Sequence, residues 1–125
     1  MVSPMQRGFT LIELMVALAI VALLLALVAP RYGAGLRHSE DVVLRHNLAQ
    51  TREAIDKFHA DQGRYPASLD ELVARRYLRE LPYDPLLRSR RHWQLLAPPQ
   101  GEGGIHDLRS SAPGLAGDGS RYASW

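Results

Sequence analysis

The 125 residues predict an α+β fold: one long amino-terminal helix, hydrophobic then amphipathic, with a small antiparallel β-sheet packed on its carboxyl-terminal half. Three observations lead there. From Phe9 to Ala29 only Thr10 and Glu13 are polar. Beyond Ser39, Leu44, Leu48, Ile55 and Phe58 fall at offsets that share one face of a 3.6-residue repeat. After Leu81 the pattern changes to short alternating segments punctuated by Pro and Gly.

Composition narrows the function classes first. Apolar residues make up 46% of the chain, but they crowd into the window from Phe9 to Ala29. As a helix at 1.5 Å per residue that window is about 31 Å long, enough to cross a bilayer core, so a plain soluble globule is excluded. There is no cysteine, which removes disulfides, thiolate metal sites and thiol nucleophiles. Net charge is only +2. That is too little for a dedicated nucleic-acid binder, and the dense basic clusters, Arg75, Arg76 and Arg79, and Arg88, Arg90 and Arg91, sit beside Glu80 or Asp84 as solvated surface or, alternatively, a polyanion or partner patch.

The first element is the apolar helix. A short hydrophilic segment, Met1 to Gly8 with Arg7, precedes it without a spacer. A secretory signal would be cut after Leu27-Val28-Ala29, but Pro30 would then follow the scissile bond, and the run exceeds the usual hydrophobic region. Glu13 is the informative residue. At the centre of a membrane helix a carboxylate costs about 2.5–3.5 kcal/mol, less near the interface, so it is expected to neutralise a positive group held at the same depth; the simpler alternative is that it snorkels to the headgroups or is protonated.

Arg7-Gly8-Phe9-Thr10-Leu11-Ile12-Glu13, followed by Leu14-Met15-Val16-Ala17-Leu18, resembles the cleavage and methylation signature of type IV pilins and type II secretion pseudopilins. The resemblance implies a leader peptide over residues 1–8, cut between Gly8 and Phe9 by a membrane-embedded prepilin peptidase, and N-methylation of Phe9. A glycine before the cut lets a peptidase approach the backbone closely. The resemblance further implies that Glu13 of an incoming subunit pairs with the Phe9 amine of its neighbour during filament assembly. An internal pair one turn apart is the simpler alternative. Residues 9–30 then form the transmembrane and assembly helix, with Pro30 matching the kink proline of pilin stems. Residues 31–125 form a periplasmic domain that includes the second half of the stem.

Gly33 and Gly35 each weaken a helix by about 1 kcal/mol, and a flexible or locally melted stretch is expected there. The helix resumes from about residue 39 to 61, with Glu53 and Lys57 as an i,i+4 pair and Gly63 as its stop. His38, His46 and His59 are spaced about 12 and 20 Å apart along it, too far to share a metal ion. Gly63-Arg64-Tyr65-Pro66 reads as a turn with a buried aromatic anchor, and Ser68 with Glu71 as a capping box. A short helix follows, with Leu69, Leu72, Val73 and Tyr77 inward, ending near Arg76 or Tyr77.

Leu81-Pro82-Tyr83-Asp84-Pro85 holds two prolines three apart, an ordered loop. Arg91 to Ala97, with Trp93 and Leu95 alternating, predicts a strand, and Ile105 to Ser110 its hairpin mate. The Gly101-Glu102-Gly103-Gly104 turn between them precedes a strand instead of opening a helix, so it is no phosphate cradle. From Ser111 to Ser120 the chain is a Gly/Ser loop, with Tyr122 and Trp125 pinning the terminus to the body.

The run from Phe58-His59 through Asp61-Gln62-Gly63-Arg64-Tyr65-Pro66, Ser68-Leu69 to Leu72, and Leu81-Pro82 with Asp84-Pro85, is similar to the major, G-type pseudopilins of type II secretion systems. That resemblance implies a homo-oligomeric filament in the periplasm that drives folded proteins through an outer-membrane secretin, with minor pseudopilins and an inner-membrane assembly platform as further partners. It implies an inner-membrane, single-pass location with the carboxyl domain periplasmic. Such pseudopilins usually bind calcium in the last loop through several aspartates. Here Asp107 and Asp118 are the only carboxylate candidates, against a requirement of six to eight oxygens, so calcium is open only if main-chain carbonyls and serine hydroxyls supply the rest; otherwise no cofactor is expected and hydrogen bonds, with Tyr122 and Trp125, hold the loop. No nucleophile–base–orienter set is present either, so no catalysis is expected. The alternatives are a type IV or competence pilin, for adhesion or DNA uptake, and a membrane-anchored periplasmic enzyme or binding module that never polymerises.

Overall fold

A computed structural model describes residues 8–125 in the order α1 (Leu11–Gln62), α2 (Leu69–Ala74), β1 (Trp93–Leu96), β2 (Asp107–Ser110) and a terminal 3-10 turn (Tyr122–Ser124). The chain divides into two compact units, one ending at Leu36 and one running from Arg37 to Trp125.

Helical conformation runs unbroken from Leu11 to Gln62, through Pro30, Gly33 and Gly35. The melted stretch expected at the glycines is therefore absent. Opening the helix there would forfeit hydrogen bonds on both sides and require a second, costly nucleation, which outweighs about 1 kcal/mol per glycine. Gly63 ends the helix as expected: its φ is +70° and its amide donates to the His59 carbonyl at 2.9 Å. Glu53 and Lys57 pair at 3.2 Å.

In the Arg37–Trp125 unit the predicted stripe is the heart of the core. Leu44, Leu48, Ile55 and Phe58 are all buried. Thr51 completes the row, satisfying its hydroxyl on the Asn47 carbonyl one turn back at 2.7 Å. Against this face pack Leu69, Leu72 and Leu78, Trp93, Ile105 and Leu108, and Ala112, Ala116 and Tyr122. Pro66 is the fully buried residue of the turn after α1. Tyr65, expected as the buried anchor, is only half-buried, stacked on His59 at 4.2 Å and meeting His106 edge-on at 5.3 Å.

Helix α2 begins on the predicted cap, with the Ser68 hydroxyl accepting from the Glu71 amide at 3.2 Å. The reciprocal bond differs: Glu71 accepts from the Ala67 amide, at 2.8 Å, and pairs with Arg64. Those contacts, the Arg64 hydrogen bond foremost, hold the Glu71 carboxyl below its usual range. The helix ends at Ala74, earlier than expected, because Arg76 turns left-handed at φ 65° and the Tyr77 and Leu78 amides both fold back to the Leu72 carbonyl.

The two strands pair antiparallel, from Trp93 opposite Ser110 to Leu96 opposite Asp107. Both are shorter than predicted. Pro98 and Pro99 cannot extend the ladder, and the Ile105 amide leaves it for the Pro66 carbonyl at 2.8 Å. Trp93 is buried and its indole donates to the Pro82 carbonyl at 3.0 Å, whereas Leu95, expected inside with it, is 47% exposed.

Candidate assembly segment and the carboxyl-terminal contacts

Gly8 and Phe9 precede α1 in irregular, exposed backbone. Nothing lies within 4 Å of a side chain built at Gly8, and Phe9 is 89% exposed. Residues 1–7 of the leader, Arg7 among them, lie outside the described residues.

Thr10 starts the helix. Its hydroxyl accepts from the Glu13 amide at 3.2 Å, and its carbonyl from the Leu14 amide at 3.1 Å. Thr10 and Glu13 thus form the amide-capping half of a Thr-x-x-Glu start signal, legible in the sequence as a Thr three residues before a Glu at the head of an apolar run. Glu13 stands in the first turn, where the positive end of the helix dipole favours a carboxylate. After it the helix turns apolar all round. Leu11, Ile12, Leu14, Met15, Val16, Leu18, Ile20, Val21, Leu23, Leu24, Leu25, Leu27 and Val28 are each more than half exposed. An unburied apolar cylinder of this length is a membrane-anchoring helix or a helix-packing surface.

At the other end of the chain, Asp107 and Asp118 do not converge. Asp107 accepts from Arg52 Nε and from the Leu108 amide, each at 2.7 Å. Asp118 pairs with Arg45 and accepts from the Ser120 amide at 2.9 Å and the Ser120 hydroxyl. Arg52 and Arg45 are seven residues apart on α1, about 10 Å along its axis. Among the described residues no three His, Asp or Glu side chains gather as a metal would require. With its carboxylates committed to guanidinium groups, this set does not fit a calcium ion.

Asp41 and Arg45, to which sequence reasoning assigned no role, and Asp84, expected only as part of an ordered loop, organise the Arg37–Trp125 unit. Asp41, 8% exposed, accepts from the Gly117 amide at 3.0 Å and from the Tyr122 hydroxyl. Its position, three residues before Leu44 in the apolar stripe, was the available signal. Arg45 holds its guanidinium carbon over the Trp125 ring, 4.1 Å from the centroid. Asp84, fully buried, accepts from the Leu86 and Leu87 amides and, at 2.7 Å, from the Ser110 hydroxyl. His38 and His46 are exposed, as expected of surface side chains.

Comparison with known proteins agrees with this geometry. Residues 3–29 match the family model described as the prokaryotic N-terminal methylation motif. The chain is 30% identical to the type II secretion system core protein G of Pectobacterium carotovorum subsp. carotovorum, over 96% of this chain and 85% of that protein. It is 32% identical to the protein of that name from Pseudomonas aeruginosa, over 95% of this chain and 89% of the relative. A fimbrial protein, EcpC of Eikenella corrodens, is 32% identical over 54% of this chain and 44% of its own length. No solved structure matches. An exposed amino-terminal junction, a carboxylate in the first turn of an apolar helix and full-length similarity converge: this chain belongs to the type II secretion system core protein G family, the major pseudopilins.

Proposed function

We propose that this chain is a structural, non-catalytic subunit that polymerises into the periplasmic pseudopilus of a type II secretion system and drives folded proteins across the outer membrane. The observation that carries the reading is Glu13, a lone carboxylate in the first turn of α1 at the head of an otherwise apolar, unburied stretch that runs to Val28, four residues after an exposed Phe9. Cleavage after Gly8 creates an ammonium on Phe9, which methylation leaves positively charged, and Glu13 supplies its counter-charge. Between two copies stacked through their apolar helices, that pair is formed in a low dielectric. A subunit lacking the carboxylate leaves a charge unpaired, at a cost of several kcal/mol.

Before assembly the same helix holds the subunit in the inner membrane, with the Arg37–Trp125 unit in the periplasm. The prepilin peptidase acts first on Gly8 and Phe9. Minor pseudopilins, the inner-membrane platform and the secretin are the later partners.

Mass spectrometry of the mature amino terminus tests the processing step: a chain beginning at methylated Phe9 is expected, and Met1 retained in cells with an active peptidase rules it out. Glu13→Ala should insert in the membrane and fail to form filaments. Filaments of undiminished length and number would refute the pairing. The partial match to a fimbrial protein supports a second reading, a type IV pilus subunit, which predicts long surface filaments and undisturbed secretion when the gene is deleted.

A further inference from the structure

The carboxyl-terminal segment returns to α1 at two side chains one helical turn apart. At Asp41 the Gly117 amide and the Tyr122 hydroxyl converge on the two oxygens of one carboxylate. At Arg45 the guanidinium pairs with Asp118 Oδ2 and lies over the Trp125 ring. The remaining groups close on each other. Asp118 Oδ1 takes the Ser120 amide and hydroxyl, the Trp125 indole donates to the Ser120 hydroxyl at 2.7 Å, and the Tyr122 and Trp125 rings meet edge to face at 5.2 Å. A cavity of about 150 Å³ lies here, lined by His38, Asp41, Val42, Arg45, Gly117 and Asp118.

We propose that the Arg45 guanidinium is the resident cation of this segment, closing it on α1 through Asp118 and Trp125 in place of a divalent metal ion. A calcium ion needs six to eight oxygens at 2.3–2.6 Å. Both oxygens of Asp118 and both of Asp41 are already hydrogen-bonded, and Asp107 is held elsewhere by Arg52. A metal would have to share these oxygens with, or displace, a guanidinium that cannot lose its charge. A guanidinium can also lie over an indole while one of its nitrogens pairs with a carboxylate, as this one does. Lysine would keep the pair and lose most of the stack.

The Arg45 and Asp118 side chains are 57% and 50% exposed, so the ion pair alone stabilises little. Its effect is local, and the readout must be local too. The mature full-length protein in detergent micelles is to be followed by thermal unfolding and by hydrogen exchange of the Ser120 amide and the Trp125 indole, with EDTA or with millimolar calcium chloride. Neither addition is expected to change the midpoint or the exchange. A metal bound at a hundredfold excess over its dissociation constant would raise the midpoint by on the order of 10 °C in a domain this size.

Arg45→Gln is expected to speed both exchange rates about tenfold, with calcium unable to restore them, and Arg45→Lys to fall between. Calcium that raises the wild-type midpoint or slows its exchange overturns the proposal, as does Arg45→Gln exchanging like the wild type. If Arg45→Gln does not fold, the wild-type additions and Arg45→Lys decide. None of these readouts involves filament assembly, so they are independent of the proposed polymerising role.

Discussion

Asp84 organises a stretch that has almost no regular structure. Its carboxylate caps the turn at Leu86 and Leu87, its backbone pairs with Ser89, and its second oxygen takes the hydroxyl of Ser110 at the end of β2. The Ser110 oxygen in turn accepts from the Ala112 amide at 3.1 Å. Removing the carboxylate strands a buried hydroxyl and two amides, so Asp84→Ala should cost about 2–3 kcal/mol in urea unfolding. A change within error would show that water replaces it. Asp118 is a surface case with a different signature. The Ser120 hydroxyl and amide, and then Arg45, hold its carboxyl down at about 2. Because the folded value is depressed, its contribution is present above the ordinary value of 3.8 and fades as pH falls from there through about 2. Nuclear magnetic resonance titration should therefore find Asp118 still ionised at pH 3. Tyr122 runs the other way: burial, then Asp41, pushes its hydroxyl up to about 12. What the neutral hydroxyl adds to stability is complete below pH 10, the ordinary value, and is lost as pH rises through about 12.

Among the elements, the second half of α1 was the most legible, and for a plain reason. A helix that buries one face must repeat its apolar residues every three or four positions, and Leu44, Leu48, Ile55 and Phe58 do so on a single chain segment. The hairpin was legible only as a pair of strands. Where it begins and ends depends on partners far away in sequence, such as the Pro66 carbonyl that takes the Ile105 amide. Gly104, at the end of the turn between the strands, belongs to that contact. Its φ is +105°, and a Cβ there would lie 2.9 Å from the Pro66 oxygen and 3.0 Å from Tyr65 Cβ. Gly104→Ala combines left-handed strain with a clash against backbone, and should cost about 2–4 kcal/mol. Gly101→Ala, at φ +73° with open space around it, should cost less. Equal losses in a thermal unfolding comparison would remove the close approach as the cause.

For the molecule as a whole, the two units carry separate duties. Among the described residues, all the core side chains come from the Arg37–Trp125 unit, while the large apolar side chains from Phe9 to Val28 are exposed. Glu13→Ala should accordingly leave the thermal unfolding of the folded unit unchanged while abolishing filaments, and a lowered midpoint would mean that Glu13 serves the fold instead. The amino-terminal signal and the stem were readable from the sequence alone because their chemistry is contiguous: a glycine before a phenylalanine, a glutamate four residues on, and an unbroken apolar run are neighbours in the chain. The contacts that close the body were not. Asp41 with Tyr122, Arg45 with Trp125, and Asp84 with Ser110 join residues 81, 80 and 26 positions apart, and only folding brings them together. Asp107 and Asp118 show the same limit, since each carboxylate was visible as a possible cation ligand, but which positive group it meets was decided by the arginines that the face of α1 turns toward it.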